Sequence, residues 1–118
     1  MEKENTKKAA KLPEGVTEAD IKAFKEKHGQ NKVMLASLPL DDDGDEYFDV
    51  IITVPTRKVI SEFEKWVDKN PDKAKEIMVN ACLLTGKERV KADDGLFLGA
   101  FDAISKVMPV RTAIIKNL

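Results

Sequence analysis

The chain has one cysteine and one histidine in 118 residues, no surplus of either charge, and no long apolar run. Each shortage excludes something. A lone Cys82 cannot build an intrachain disulfide framework and suits a reducing compartment. A lone His28 argues against a histidine-based metal centre or catalytic dyad. Twenty basic residues against twenty-one acidic ones leave a net charge of -1, which offers nucleic acid or anionic lipid no long-range attraction. No apolar stretch approaches the roughly 20 residues that span a bilayer. Met1 to Lys11 is charged and lacks the apolar core of a signal peptide. These absences predict a cytoplasmic protein with no membrane and no nucleic-acid partner.

What is present describes one ordinary domain. Apolar residues make up 42% and charged residues 35%, enough to bury a single core without staples. Residues 1–12 read as a disordered charged tail, and residues 13–118 as a single domain. Thr17 is placed to cap a short helix running to His28, with Asp20 a near miss for the Glu or Gln of a capping box. Gly29 is expected to end this helix in a left-handed conformation. His28, in the last turn, is expected to complement the helix dipole through partial positive charge.

A strand follows from Lys32 to Leu38, closed by Pro39, and a second from Glu46 to Val54. The acidic linker Leu40–Asp45, with Gly44 for positive φ, makes the pair a β-hairpin. Phe48, Val50, Ile52 and Val54 alternate with Tyr47, Asp49, Ile51 and Thr53.

Pro55 stops the strand and Thr56 caps a second helix whose Val59, Ile60, Phe63, Trp66 and Val67 share one face. Asn70-Pro71 ends it and opens a third, with asparagine as cap and proline at the first helical position. This third helix is expected to reach about Thr85, with Gly86 beyond its end and a core stripe of Ala74, Ile77, Met78, Ala81 and Cys82. A charged link, Lys87 to Lys91, leads to Asp93 or Asp94, either able to cap a fourth helix. Leu96, Phe97, Ala100, Phe101, Ile104 and Val107 form the fourth helix's apolar face. After Pro109 a short amphipathic piece with Val110, Ala113 and Ile114 closes at Asn117-Leu118. Segregated strands and helices make the class α+β: an N-terminal short helix and β-hairpin followed by three to four amphipathic helices.

Candidate chemistry is sparse. Asp41, Asp42, Asp43 and Asp45 resemble a cation loop, but aligning Gly44 with the glycine of an EF-hand puts Pro39 and Val50 at obligatory ligand positions. A solvated turn, with incidental cation binding at most, is the better account. Thr85-Gly86-Lys87-Glu88 lacks the upstream glycine and the hydroxyl that a phosphate loop needs. Cys82 falls on a helix stripe and reads as a packed core thiol. Phe63 and Trp66 share their stripe with aliphatic residues and read as core, not as stacking platforms. No catalytic, cofactor-binding or metal-binding residue is assigned, and the chain is expected not to be an enzyme.

The hairpin is the unusual feature. One face is apolar throughout, from Phe48, Val50, Ile52 and Val54 together with Met34, Ala36 and Leu38. The other mixes Val33, Leu35, Tyr47 and Ile51 with Ser37, Asp49 and Thr53. A two-stranded sheet is marginal alone and has two open edges. Either flanking segments of the chain cover them, or they serve self-association or capture of a partner strand or helix.

Taken together, the run Thr17-Glu18-Ala19-Asp20-Ile21-Lys22-Ala23-Phe24-Lys25 to Gly29, the hairpin and Pro55-Thr56-Arg57 form a recognisable layout. Asn80-Ala81-Cys82-Leu83-Leu84-Thr85-Gly86, Leu96-Phe97-Leu98-Gly99-Ala100 and Lys116-Asn117-Leu118 continue it. It resembles the small tail-assembly-chaperone-like proteins of phages and prophages. The resemblance implies a non-enzymatic role: coating a long helical tape-measure-type protein and keeping it soluble until tail subunits assemble. It supplies no catalytic residues and no cofactor. The partner surface is assigned from the apolar pattern alone, to Val33, Leu35, Tyr47 and Ile51 on the hairpin and to Val79 and Leu83, which fall off the third helix's stripe. The alternative is a self-associating structural or regulatory adaptor, a homo-oligomer with no phage connection.

Overall fold

Helix ends in this chain are written in short polar side chains. In the computed structural model, which describes residues 12–109 and 113–118, Thr17 opens α1 (Glu18–His28). Its Oγ1 accepts from the Asp20 amide (3.1 Å), while the Asp20 carboxylate accepts from the Thr17 amide (3.0 Å). Aspartate therefore completes the capping box expected to be incomplete, because its shorter arm still reaches back across one turn. Gly29 ends α1 at φ 119° and ψ 143°. The positive φ is the one expected of a helix-ending glycine, though ψ lies outside the αL well, and the turn it begins returns the Lys32 amide to the Gly29 carbonyl (3.1 Å).

The hairpin forms as read. β1 (Val33–Pro39) and β2 (Tyr47–Thr53) pair antiparallel, with Ala36 opposite Val50 and Pro39 opposite Tyr47. In the connecting loop the Asp41 carboxylate accepts from the amides of Gly44 (2.8 Å) and Asp45 (3.2 Å), so this acidic residue serves to fold the turn.

α2 (Arg57–Trp66) is capped by Thr56, and α3 (Pro71–Cys82) by Asn70 with proline at its start. Lys73 Nζ lies 3.8 Å from the centroid of the Trp66 ring, bridging the two helices. Asp93, not Asp94, caps α5 (Asp94–Lys106), its Oδ1 accepting from the Leu96 amide (3.1 Å). Phe63 of α2 stacks on Phe101 of α5 with centroids 5.7 Å apart. These contacts place three helices over the hairpin's apolar face, and the core gathers Leu38, Val50, Ile52, Met78, Val79, Cys82, Leu83, Val90, Leu96, Ala100 and Ile104. The fold is α+β, in the expected order of elements.

The main departure lies after α3. The helix stops at Cys82, and Leu83 turns to extended backbone. Leu83 then bridges Ile52, the Leu84 amide donates to the Ile51 carbonyl (2.8 Å), and the Ile51 amide donates to Thr85 Oγ1 (2.9 Å). Residues 83–85 thus run along the second edge of β2 as a rudimentary third strand. Gly86 is not a helix C-terminal glycine. It sits in the left-handed region (φ 73°, ψ 21°) at the head of a short helix, α4 (Lys87–Lys91), where a charged link was expected.

The stripe of α3 is rotated accordingly. Val79 is buried and Ala81 exposed, the reverse of the expectation, because α3 packs against α5 as well as against α2 and Val79 joins the shared core. Val67 lies just past α2 and is exposed. The closing amphipathic piece falls in part outside the described residues, and Ala113–Leu118 forms neither helix nor strand. The tail assigned to residues 1–12 lies, apart from Leu12, outside them as well.

Two glycines should respond oppositely to alanine. A Cβ on Gly86 would meet Phe48 at 2.9 Å and Val50 at 3.1 Å in a backbone conformation that already disfavours side chains, so Gly86→Ala should cost about 2 kcal/mol or more. A Cβ on Gly99, inside α5, would meet Leu38 at an ordinary 3.9 Å, so Gly99→Ala should stabilise by roughly 0.5–1 kcal/mol. Thr85→Val should cost about 1–3 kcal/mol by leaving the Ile51 amide unpaired, and Thr85→Ser much less. Urea unfolding of the four variants checks all three statements.

Candidate functional site: an open sheet edge beside a helix

The closed edge of β2 determines what remains open. At the ends of the hairpin ladder the Val54 amide donates to the Lys32 carbonyl (2.9 Å), and the Leu40 amide to the Glu46 carbonyl (2.8 Å). Antiparallel strands alternate, so Met34, Ala36 and Leu38 point their backbone groups at β2. Val33, Leu35, Ser37 and Pro39 point theirs the other way. The same alternation turns the backbone of Ile51 outward from β2, where Leu84 and Thr85 meet it. Among the described residues β1 has no second strand beside it, although α1 and α5 both pack against it. Its free edge presents the amides of Val33, Leu35 and Ser37, while Pro39 has none to offer.

A groove of about 810 Å³ runs along this edge. One wall is β1 from Met34 onward, with Leu40 and the Asp41–Gly44 loop. The opposite wall is α5, through Gly95, Gly99, Asp102, Ala103 and Lys106. Gly95, Gly99 and Ala103 succeed one another every four residues, so they share one side of the helix. Along that row the only side chain is the methyl of Ala103, with Asp102 and Lys106 beside it. Met34 and Leu40 are exposed beside it.

The rim carries Asp41, Asp42, Asp43, Asp93 and Asp102 against Lys106. Lys106 is itself paired with Asp102 (3.1 Å), an exposed ion pair that contributes little to stability. The mouth of the groove is therefore negative.

The residues expected to form a partner surface separate into two groups. Tyr47 is 52% exposed, and Val33 and Leu35 are half-buried along β1. Ile51, at 2%, and Val79 and Leu83, at 0%, lie in the interior. Val79 and Leu83 belong to the core cluster, and Ile51 is buried with its backbone paired to residues 84–85, so they offer no surface to a partner. Sequence reasoning missed the groove floor. Its signal is the i, i+4, i+8 spacing of Gly95, Gly99 and Ala103 on an otherwise apolar helix.

Titratable groups in the fold are arranged for packing. Burial pushes the Cys82 thiol up to about 11 from its ordinary 9.0. His28 is held below its ordinary value, first by burial and then by the charge of Lys27, which opposes the positive charge expected at the helix end. Among the described residues no cluster of three or more histidine, cysteine or acidic side chains is placed to hold a metal ion. No helix among them is long and apolar enough to cross a membrane.

The fold is similar to the solved structure of an uncharacterised protein from Bacillus stearothermophilus. The TM-score is 0.55 over 82% of this chain and 99% of that one, at 18% identity. Likeness at that identity speaks to the fold alone. No family model matches the chain, and no curated protein matches it.

The raised thiol has a measurable consequence. Burial favours the neutral form, so the stability it contributes is fully present below about pH 9 and is lost as pH rises through about 11. At neutral pH Cys82 should react with an aromatic disulfide reagent only at the rate of global unfolding. Rapid stoichiometric labelling of the folded protein would show that the thiol is accessible after all.

Proposed function

We propose that this chain is a non-enzymatic assembly chaperone that acts in the cytoplasm by lending its groove to a segment of another protein. The observation that carries the reading is the groove itself, open to solvent between an unpaired strand edge and a helix side without bulky residues. Its resemblance in sequence to the phage and prophage tail-assembly-chaperone-like proteins supplies the client: a long helical protein of the tape-measure type.

The physical fit runs as follows. An amphipathic client helix lays apolar side chains at i, i+3 and i+4 into a groove. Gly95, Gly99 and Ala103 allow its backbone to come close, and Met34 and Leu40 flank it with apolar surface. The aspartates of the rim keep the chaperone soluble and favour clients with basic flanks. Weak binding by many copies along one long client covers it without locking it. Nothing in this work requires a catalytic group, cofactor or metal, and the buried Cys82 and peripheral His28 play no part in it.

A second reading, a self-associating adaptor with no phage connection, is favoured by one feature. Ala113–Leu118 stands exposed, with Ile114 86% and Ile115 91% accessible.

Co-expression with the longest helix-rich protein encoded downstream of this gene tests the first reading. A soluble complex should co-purify. Gly99→Leu, which fills the groove floor, should weaken it at least about tenfold, or about 1.4 kcal/mol, with no loss of thermal stability. Absence of a complex, or full-strength binding by Gly99→Leu, would overturn the chaperone reading.

A further inference from the structure

Among the described residues neither the outer edge of β1 nor the apolar segment Ala113–Leu118 has a partner strand, and their chemistry matches. The edge offers outward amides at Val33, Leu35 and Ser37 before Pro39 ends the series, room for an added strand of about six residues at the usual spacing. Ala113-Ile114-Ile115-Lys116-Asn117-Leu118 is six residues, has no regular secondary structure and is exposed throughout. It contains two adjacent β-branched isoleucines, which favour extended backbone. Two neighbouring isoleucines at 86% and 91% exposure are more than scattered surface apolarity. Within the segment the one charged side chain is Lys116, opposite in sign to the groove rim of Asp41, Asp42, Asp43, Asp93 and Asp102.

We infer that the β1 edge takes the Ala113–Leu118 segment of a second copy as an added strand, seated in the groove against α5. Each copy has one edge and one segment, so a reciprocal pair satisfies both and closes as a symmetric dimer. The added strand pairs its backbone with Val33, Leu35 and Ser37, and alternate side chains fall on the Gly95–Gly99–Ala103 side of α5. That row of small residues gives those side chains room. Lys116 meets the acidic rim. The inference shares its groove with the chaperone reading but does not depend on a client. A client helix and the second copy's segment compete for the same space.

Sedimentation and light scattering of the full-length chain across a concentration series test it. The wild-type protein should pass from monomer to dimer as concentration rises. The double variant Ile114→Asp, Ile115→Asp should stay monomeric, with the melting temperature of the wild-type monomer at low concentration, because both residues are exposed in the folded chain. A synthetic peptide of the sequence Ala113–Leu118 should then bind this monomer and shift the NMR signals of β1 and of Gly95, Gly99 and Ala103. It should bind at least about tenfold more weakly to the same monomer carrying Ser37→Pro, which removes one edge amide.

A wild-type chain that is monomeric at every concentration overturns the inference. So does a double variant that still dimerises, or peptide signals confined to other surfaces. Failure of the client complex with an intact dimer would remove the chaperone reading and leave this one standing, and the reverse result would do the opposite.

Discussion

The structure depends on a clasp between the helical half of the chain and the hairpin. A two-stranded sheet is marginal in water, and its unpaired edges are its weakness. Here Leu84 donates to the Ile51 carbonyl, Ile51 donates to Thr85 Oγ1, and Leu83 bridges Ile52. Three residues leaving a helix thereby become a strand's neighbour. Several features elsewhere serve this arrangement. α3 has to stop at Cys82, although Leu83 and Leu84 would continue an apolar pattern. The chain must then turn sharply enough for α4 and α5 to return over the sheet. Gly86 makes that turn in a left-handed conformation, pressed against Phe48 and Val50 where no side chain fits. Arg89 of α4 then covers the Phe48 ring, 4.7 Å from its centroid.

Closing one edge leaves the hairpin asymmetric. On the β2 side the backbone is paired, and Ile51, Val79 and Leu83 disappear into the interior. On the β1 side Leu35 and Ser37 line a groove whose far wall is the Gly95–Gly99–Ala103 row of α5, and Val33 lies just beyond it. The protein blunts this open edge in ways natural sheets use: a proline at its end, a serine bonded across to Asp49 (2.7 Å), and an acidic loop beside it. These devices discourage indiscriminate pairing. They leave three donors and a shaped cavity, which is what a selective contact requires.

Features encoded locally were legible in the sequence, and those set by distant partners were not. Asn70-Pro71, Thr56 and the face of α5 follow from short-range rules, and each appears where those rules put it. The facing of the hairpin, with Phe48, Val50 and Ile52 beside Met34, Ala36 and Leu38, follows from the alternation in Tyr47–Val54. The role of Leu83–Thr85 does not, because it depends on pairing with Ile51 and Ile52 more than thirty residues earlier. Without that pairing, Gly86 looks like the end of a longer helix, and Val79, Leu83 and Ile51 look like surplus apolar surface. Their burial answers part of the question the hairpin posed, since a flanking segment of the same chain does cover one edge. The groove was hidden for a different reason. It is built from missing side chains at Gly95 and Gly99 and from a missing strand beside β1, and apolar periodicity registers only what is present.

The proposed self-association and the proposed client capture draw on the same groove, which would tie them together energetically. A site occupied by a second copy has lower apparent affinity for a client, by the fraction of sites left free. At low concentration the proposed dimer would dissociate and the site would open. At high concentration the added strand would shield the edge from nonspecific pairing. A client presenting many sites along one helix can outcompete a single six-residue strand, because its segments are held together and the strands are not. An open edge is a hazard for a protein that stands alone. If its own segment covers that edge reversibly, as proposed, the hazard would become a way to stay soluble until a better occupant arrives.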